Sequence, residues 1–165
     1  MNGPDPVAVR DTFTSVAPRY DLANHLLSGG IDFLWRRKLV KQARQGAHDQ
    51  ILDLATGSGD VALALRYGLS AKVKITGVDF CEPMLERARC KRDQQNLEKE
   101  LNQFLLGDCL DLEFPDESFD LITIAFGLRN LADRKLGLSE MLRVLKPGGR
   151  LMVLEFSQPY FWFRP

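Results

Sequence analysis

Histidine and cysteine are scarce in this chain. Its two histidines, His25 and His48, do not have the spacing of a metal site. Its three cysteines, Cys81, Cys90 and Cys109, contain no C-x-x-C pair, which fits reduced thiols in a cytoplasmic protein. Net charge is missing as well. The 22 Lys and Arg residues balance 22 Asp and Glu, so general nucleic-acid binding has no electrostatic basis. No apolar run approaches membrane-spanning length, and the opening Met-Asn-Gly-Pro-Asp-Pro lacks the apolar core of a secretory signal. What is present is a chain of 165 residues, 45% hydrophobic, which suits one globular domain with a substantial core.

One further absence is local. Between Ile51 and Leu65 there is no Lys or Arg, although the stretch otherwise reads as a ligand loop. Ile51–Leu54 is an apolar run broken only by Asp53. The small residues Ala55, Thr56, Gly57, Ser58 and Gly59 follow, and Asp60 then opens a new apolar-periodic segment. A buried strand, a glycine turn and a helix start produce this pattern. Glycines there permit positive φ and close approach of a ligand, and the helix start offers free amides. Gly57-x-Gly59-x-x-Ala62, with Asp79 further on, also satisfies the dinucleotide fingerprint. Asp53 and Asp60 flank the loop, however, and would oppose a pyrophosphate. They suit a ligand carrying an ammonium and a sulfonium, such as S-adenosylmethionine. Asp53-x-Ala55-x-Gly57-x-Gly59 resembles the methyltransferase loop, with Ala55 in place of its first glycine.

The rest of the chain alternates helices and strands. Residues 1–8 are expected to be a disordered arm, with a helix from Val9. A short helix is expected over Tyr20–Leu27, and a third from Ile31 to Arg44 with Ile31, Leu34, Trp35 and Leu39 on one face. Residues 9–46 then form a helical lid or substrate region, partly basic, that packs on the domain or touches a membrane surface. Residues 47–158 carry strands at Ile51–Leu54, Val73–Asp79, Phe104–Asp108, Phe119–Ala125 and Arg150–Glu155. Pro83 opens a helix whose later part, Arg87–Glu100, reads as a solvated charged face, and Asp133–Leu145 is helical up to Lys146-Pro-Gly-Gly149. The expected fold is α/β, a Rossmann-like and mostly parallel sheet with helices on both faces. Ligands of such sheets bind outside the strands' carboxyl ends, where Asp53, Asp79 and Asp108 all lie. Asp79 is placed for ribose hydroxyls, Asp108 and the Cys109 amide for adenine, and Phe80 and Met84 to sandwich it. Residues 159–165 form an aromatic tail.

Two longer stretches carry a family resemblance. Tyr20-Asp-Leu-Ala-Asn-His-Leu-Leu-Ser-Gly-Gly-Ile-Asp-Phe-Leu-Trp35 and Arg143-Val-Leu-Lys-Pro-Gly-Gly-Arg-Leu-Met-Val-Leu-Glu-Phe-Ser157 resemble the two signatures of the ubiquinone/menaquinone C-methyltransferases. Phe126-Gly-Leu-Arg-Asn130 is similar to a third motif of that family. The resemblance runs from Arg10 to Pro159. It implies a class I methyltransferase fold, S-adenosylmethionine as cofactor, and methylation of a ring carbon of a polyprenylated hydroquinone. By position, its donor-binding residues are Ser58, Asp79, Asp108 and Cys109. The family usually has His at Asp32, Met at Ala23 and often Ser at Ala125, a position near the donor. It also continues beyond the fifth strand with two more strands and helices, so the last strands of the fold are missing here.

For the chemistry, a free phenol has a pKa of about 10 and is mostly protonated at neutral pH. A nearby cation favours the phenolate. Arg129 is the candidate, with Asn130 orienting a hydroxyl, while Asp32, Tyr20 and Asp21 are candidates to receive the proton. The alternative for Arg129 is a salt bridge tying the loop to the scaffold. Other readings of the chain are an NAD-dependent oxidoreductase and a donor-binding remnant without catalysis. The expected partner is a lipid-soluble quinol, benzoquinol or naphthoquinol, with no nucleic acid and no metal. A lipid substrate implies peripheral contact at the inner membrane face, and a homodimer is compatible with the sequence.

Overall fold

A computed structural model of the chain describes residues 4–16 and 31–156, excepting the side chains of Pro6, Val16 and Asp32. The helix expected over Tyr20–Leu27 and the aromatic tail 159–165 lie outside the described residues. In order, the elements are α1 (Pro6–Val16), α2 (Ile31–Ala43), β1 (Gln50–Leu54), α3 (Asp60–Gly68), β2 (Lys74–Asp79) and α4 (Glu82–Gln94). Then come β3 (Asn102–Leu106), β4 (Phe119–Ala125), α5 (Arg134–Val144) and β5 (Leu145–Leu154). A 3-10 turn, Leu128–Asn130, follows β4.

The strands form one parallel sheet in the order β3-β2-β1-β4-β5. From β1 the chain builds outward through β2 to β3, then returns to lay β4 on the other flank of β1. Strand order reverses there, which opens a crevice outside the carboxyl ends of β1 and β4. Ile51–Leu54 are all buried, as in a central parallel strand covered on both faces. Ile51 meets one core with Leu39, Val40, Leu63, Leu65 and Leu85. Leu52 and Leu54 meet the other with Ile122, Ile124, Met141 and Val144. Helices α2, α3 and α4 therefore cover one face and α5 the other, as the alternation of elements implied. Asp133 caps α5, accepting from the amides of Lys135 (2.9 Å) and Leu136 (3.1 Å).

Several local expectations need correction. Helix α1 begins at Pro6, inside the stretch read as a disordered arm, with the Val7 amide donating to the Asp5 carboxylate at 3.0 Å. Helix α4 ends at Gln94 instead of continuing to Glu100, and Asn96 just beyond it takes a left-handed φ of +52°. Its charged face is also not simply solvated. The Arg89 guanidinium donates twice to the Phe104 carbonyl (3.1 and 2.9 Å), and Arg92 donates to that of Asn102 (3.3 Å), tying α4 to β3. Strand β3 ends at Leu106, so Asp108 lies in the loop beyond it. Strand β5 takes in Lys146–Gly149, with a register irregularity against β4 between Phe119 and Leu121. Helix α2 meets α3 and β5 through its second half, where Leu39, Val40 and Ala43 are buried. Ile31 and Leu34, expected on that inward face, are exposed.

Candidate functional site

A cavity opens at the carboxyl ends of the strands. The turn after β1 supplies Ala55 and Gly57, the end of β2 supplies Asp79 and Phe80, and the start of α4 supplies Met84. Asp108 and Cys109 follow β3, while Ala125, Phe126, Gly127, Asn130 and Leu131 follow β4, and α1 contributes Phe13. Among the described residues, the lining contains two carboxylates and no Lys, Arg or His.

The turn is held in shape by hydrogen bonds to its own acids. Asp79 accepts from the Gly57 amide (2.8 Å) through one oxygen and from the Cys81 amide (2.9 Å) through the other. Burial raises its pKa, against the lowering effect of those amides. Gly57 and Gly59 both have positive φ, +56° and +80°. A Cβ on Gly59 would stand 2.9 Å from that of Ala88 and 3.0 Å from the Phe104 ring, so both conformation and space demand glycine. Ala55 stands where the methyltransferase loop has glycine, and it too takes positive φ, +49°. Gly127 answers it across the turn, where an added Cβ would come within 2.4 Å of the Ala55 methyl.

Two of the acids read as facing the ligand do not line the cavity. Asp53 is 1% exposed and lies opposite Thr123 in the β1–β4 register. Its oxygens accept from the hydroxyls of Thr56 (2.6 Å) and Thr123 (2.5 Å). Burial pushes its pKa up to about 6, although those hydroxyls lower it. Asp60 is bound by Arg36 Nη1 (2.6 Å) and Lys91 Nζ (2.7 Å), so its charge ties α2 and α4 to the turn. Ser58 is buried, with its hydroxyl accepting from Lys91 Nζ at 3.0 Å. Neither Ser58 nor Gly59 is among the residues lining the cavity. Asp108 does line it, while one of its oxygens accepts from the Leu110 amide at 2.9 Å. Cys109 is buried among acids. Burial, with Asp79, Asp108 and Asp53 adding to it, pushes its thiol up to about 12. It is therefore a neutral wall and no nucleophile.

Beyond the 3-10 turn the character of the rim changes. Arg129 Nη1 pairs with Glu155 Oε1, and the Arg129 guanidinium lies 5.9 Å from the Phe126 ring centroid and 5.3 Å from that of Phe156. Of the residues read as catalytic, Asn130 lines the cavity, with its amide donating to the Phe126 carbonyl at 3.4 Å, and Arg129 lies outside it in this ion pair. Tyr20 and the side chain of Asp32 are outside the described residues. Among the described residues no cluster of His, Cys, Asp or Glu is placed to hold a metal, and no helix is long and apolar enough to cross a membrane.

The family model described as "ubiE/COQ5 methyltransferase family" matches residues 2–163. The chain belongs to that family. It is 48% identical over 153 residues to a ubiquinone/menaquinone biosynthesis C-methyltransferase UbiE of Geotalea daltonii, covering 93% of this chain and 65% of the relative. It is 52% identical over 147 residues to a demethylmenaquinone methyltransferase of Thermus thermophilus, covering 89% and 65%. The chain thus spans about two thirds of the length of these relatives. Among solved structures, a SAM-dependent methyltransferase of Aquifex aeolicus superposes with TM-score 0.67 at 25% identity, covering 79% of this chain and 68% of that one. A [4+2]-cyclase, SpnF, superposes equally well, with TM-score 0.67 at 27% identity, covering 77% and 46%. The class I methyltransferase fold is therefore established, while the reaction has to be argued from the site.

For this member of the family, sequence reasoning missed Phe13, Phe126, Gly127 and Leu131 as cavity residues, and Glu155 as the partner of Arg129. Phe13 carried only a helical-spacing signal. Phe126 opened the third family motif, but its left-handed φ of +57° is not marked by a glycine, and nothing there placed it at the cavity.

Proposed function

We propose that this chain binds S-adenosylmethionine in the cavity and methylates a ring carbon of a polyprenylated hydroquinone. The observation that carries the donor assignment is the charge of the wall, which among the described residues holds two carboxylates and no cation. A pyrophosphate would find no counter-charge there, whereas a ligand bearing ammonium and sulfonium groups is complementary. Asp79 takes the ribose hydroxyls, because a carboxylate offers about four lone-pair sites and its two amide bonds leave others free. Phe80 and Met84 flank the adenine, Asp108 accepts from its amino group, and the Cys109 amide faces the ring. The backbone of Gly57, Ser58 and Gly59 borders the methionine part beside Ala125. Asp53 acts from below, holding the turn through Thr56. When bound, S-adenosylmethionine supplies a methyl carbon made electrophilic by its sulfonium.

The names of the Geotalea and Thermus relatives support a quinol acceptor, demethylmenaquinol or the benzoquinol of the ubiquinone pathway. Arg129 stabilises the phenolate form of the acceptor. Its ion pair with Glu155 uses one of five N–H donors, so it can share its charge between Glu155 and a second oxygen. Asn130 orients a hydroxyl from the cavity wall. The proton passes to the N-terminal segment, where Asp32, Tyr20 and Asp21 are the candidates. That segment serves as a lid, which the presence of Phe13 at the cavity supports. The exposed Ile31, Phe33 and Leu34, close to Arg37, Lys38 and Lys41 on α2, favour peripheral contact with the inner membrane face.

Calorimetry with S-adenosylmethionine and, separately, with NAD tests the donor. Heat is expected with the first alone, and binding of NAD instead overturns the assignment. A methyl-transfer assay with demethylmenaquinol then separates an enzyme from a donor-binding remnant. Arg129→Ala is expected to bind the donor normally and to turn over about 100-fold more slowly, the effect of losing roughly 3 kcal/mol of charge stabilisation. Turnover at the wild-type rate would remove Arg129 from the mechanism.

A further inference from the structure

Three aromatic side chains from distant parts of the chain meet at Phe126, which borders the cavity. Trp35 comes from α2, Phe126 from the end of β4 and Phe156 from just beyond β5. The Phe126 and Phe156 rings are 4.7 Å apart and inclined by 32°. Trp35 lies 5.6 Å from each, inclined by 55° to Phe126 and nearly edge-on to Phe156 at 82°. Of the three, Phe126 borders the cavity itself. The Arg129 guanidinium, paired with Glu155, lies against the Phe126 and Phe156 rings.

Packing alone is a poor account of this cluster. Phe156 is 63% exposed, so most of its ring has not been taken out of water. Phe126 holds a left-handed φ of +57°, which a bulky side chain rarely adopts and which clusters at ligand sites. Its amide is fixed by the Leu154 carbonyl at 2.7 Å and its carbonyl by Asn130, so two hydrogen bonds hold its backbone in that conformation. An apolar wall of offset and edge-on rings, with an amide and an ion pair at its border, matches a flat electron-rich ring that carries hydroxyls.

We infer that Trp35, Phe126 and Phe156 form the wall against which the aromatic ring of the acceptor lies, with Asn130 and the Arg129–Glu155 pair meeting its hydroxyls. This rests on the methyl-transfer reading above and adds where the second substrate binds. Trp35 is then a specificity-determining residue, contributing a flat face that an aliphatic side chain cannot replace.

The test is calorimetry under anaerobic conditions with 1,4-dihydroxynaphthalene, a tail-less quinol ring, on protein saturated with S-adenosylhomocysteine so that no methyl transfer occurs. Wild type is expected to bind the ring. Trp35→Leu is expected to bind it about tenfold more weakly and Trp35→Phe within about threefold of wild type, the scale of one aromatic contact. S-adenosylhomocysteine affinity should be the same in all three. Phe156→Leu, at an exposed position that the fold does not depend on, should weaken the ring in the same direction and decides the matter if Trp35→Leu does not fold. Wild-type affinity for the ring in both leucine variants overturns the inference, as does a wild type that binds S-adenosylhomocysteine but not the ring. Failure to bind S-adenosylhomocysteine falls instead on the donor assignment.

Discussion

Over β1, β2 and β3 the rim of the sheet is acidic and built largely from backbone. Over β4 and β5 it is aromatic and ion-paired. In the first half, Asp79 holds the amides of Gly57 and Cys81, and among the described residues no cation lines the wall. In the second, Arg129 pairs with Glu155 against the Phe126 and Phe156 rings, which Trp35 meets from α2. The halves suit different chemistry. On the proposed reading, a fixed acidic cradle takes the polar cationic donor, and an aromatic wall takes a flat apolar ring beside it. Two substrates of opposite character can then meet over one strand junction without competing for contacts.

The comparison breaks most sharply at Asp79. Asp79→Asn keeps the shape but loses the charge, and the new amide cannot accept at both ends. Donor affinity should fall by about 100-fold, roughly 3 kcal/mol for two charge-assisted hydrogen bonds, measured by calorimetry. Binding of the quinol ring should change little. If both affinities fell together, the two halves would not be separate sites.

Asp53 sharpens the same contrast between a carboxylate at the wall and one beneath it. Its native pKa is raised to about 6, above the ordinary 3.8, so folding disfavours its ionised form. The native state then binds more protons than the unfolded state between those values, and stability falls as pH rises from 3.8 to about 6. The full cost above that window is roughly 3 kcal/mol at most. Asp53→Asn removes this slope. Its urea midpoint is expected to exceed that of wild type at pH 8 by the equivalent of about 1 kcal/mol, and to lose that advantage at pH 4. Donor affinity should change by less than about threefold, because Asp53 meets Thr56 and Thr123 rather than the cavity. Parallel pH profiles for the two proteins would refute the assignment.

The two halves also differ in how much the sequence disclosed. The donor half comes from one run of βα units, and each part has a local mark: glycines at a turn, or an acid after an apolar run. Asp79, Asp108, Cys109, Phe80 and Met84 were legible for that reason. What local marks could not tell was which way each acid faces. Asp53 and Asp60 look alike in the sequence, yet the first sits under the sheet's rim between two threonines and the second between Arg36 and Lys91. Those partners come from other elements, and periodicity says nothing about them. The aromatic half falls within the three family motifs, but nothing local marks its residues as one cluster. Trp35, Phe126 and Phe156 become neighbours only when α2 packs across the ends of β4 and β5, and the strain at Phe126 belongs to tertiary structure. The strands themselves were legible because a central parallel strand must be apolar on both faces. The ends of α4 and β5 were not, since charge density and a Pro-Gly-Gly sequence do not fix where a helix or a strand stops.

The smallest expected effect concerns the turn that joins the halves. Ala55 holds φ +49° with its methyl against Gly127, at a position where the related loops carry glycine. A left-handed alanine costs about 1–2 kcal/mol. Glycine would relieve that strain, but it carries an unfolded-state entropy cost of roughly 0.5–1 kcal/mol and removes one methyl contact. The remainder is a gain of a few tenths of a kcal/mol, so Ala55→Gly should raise the melting temperature by about one degree. A drop instead would mean that the methyl packed against Gly127 outweighs the strain, and that this member of the family keeps alanine to brace the donor turn against the loop leading to Phe126.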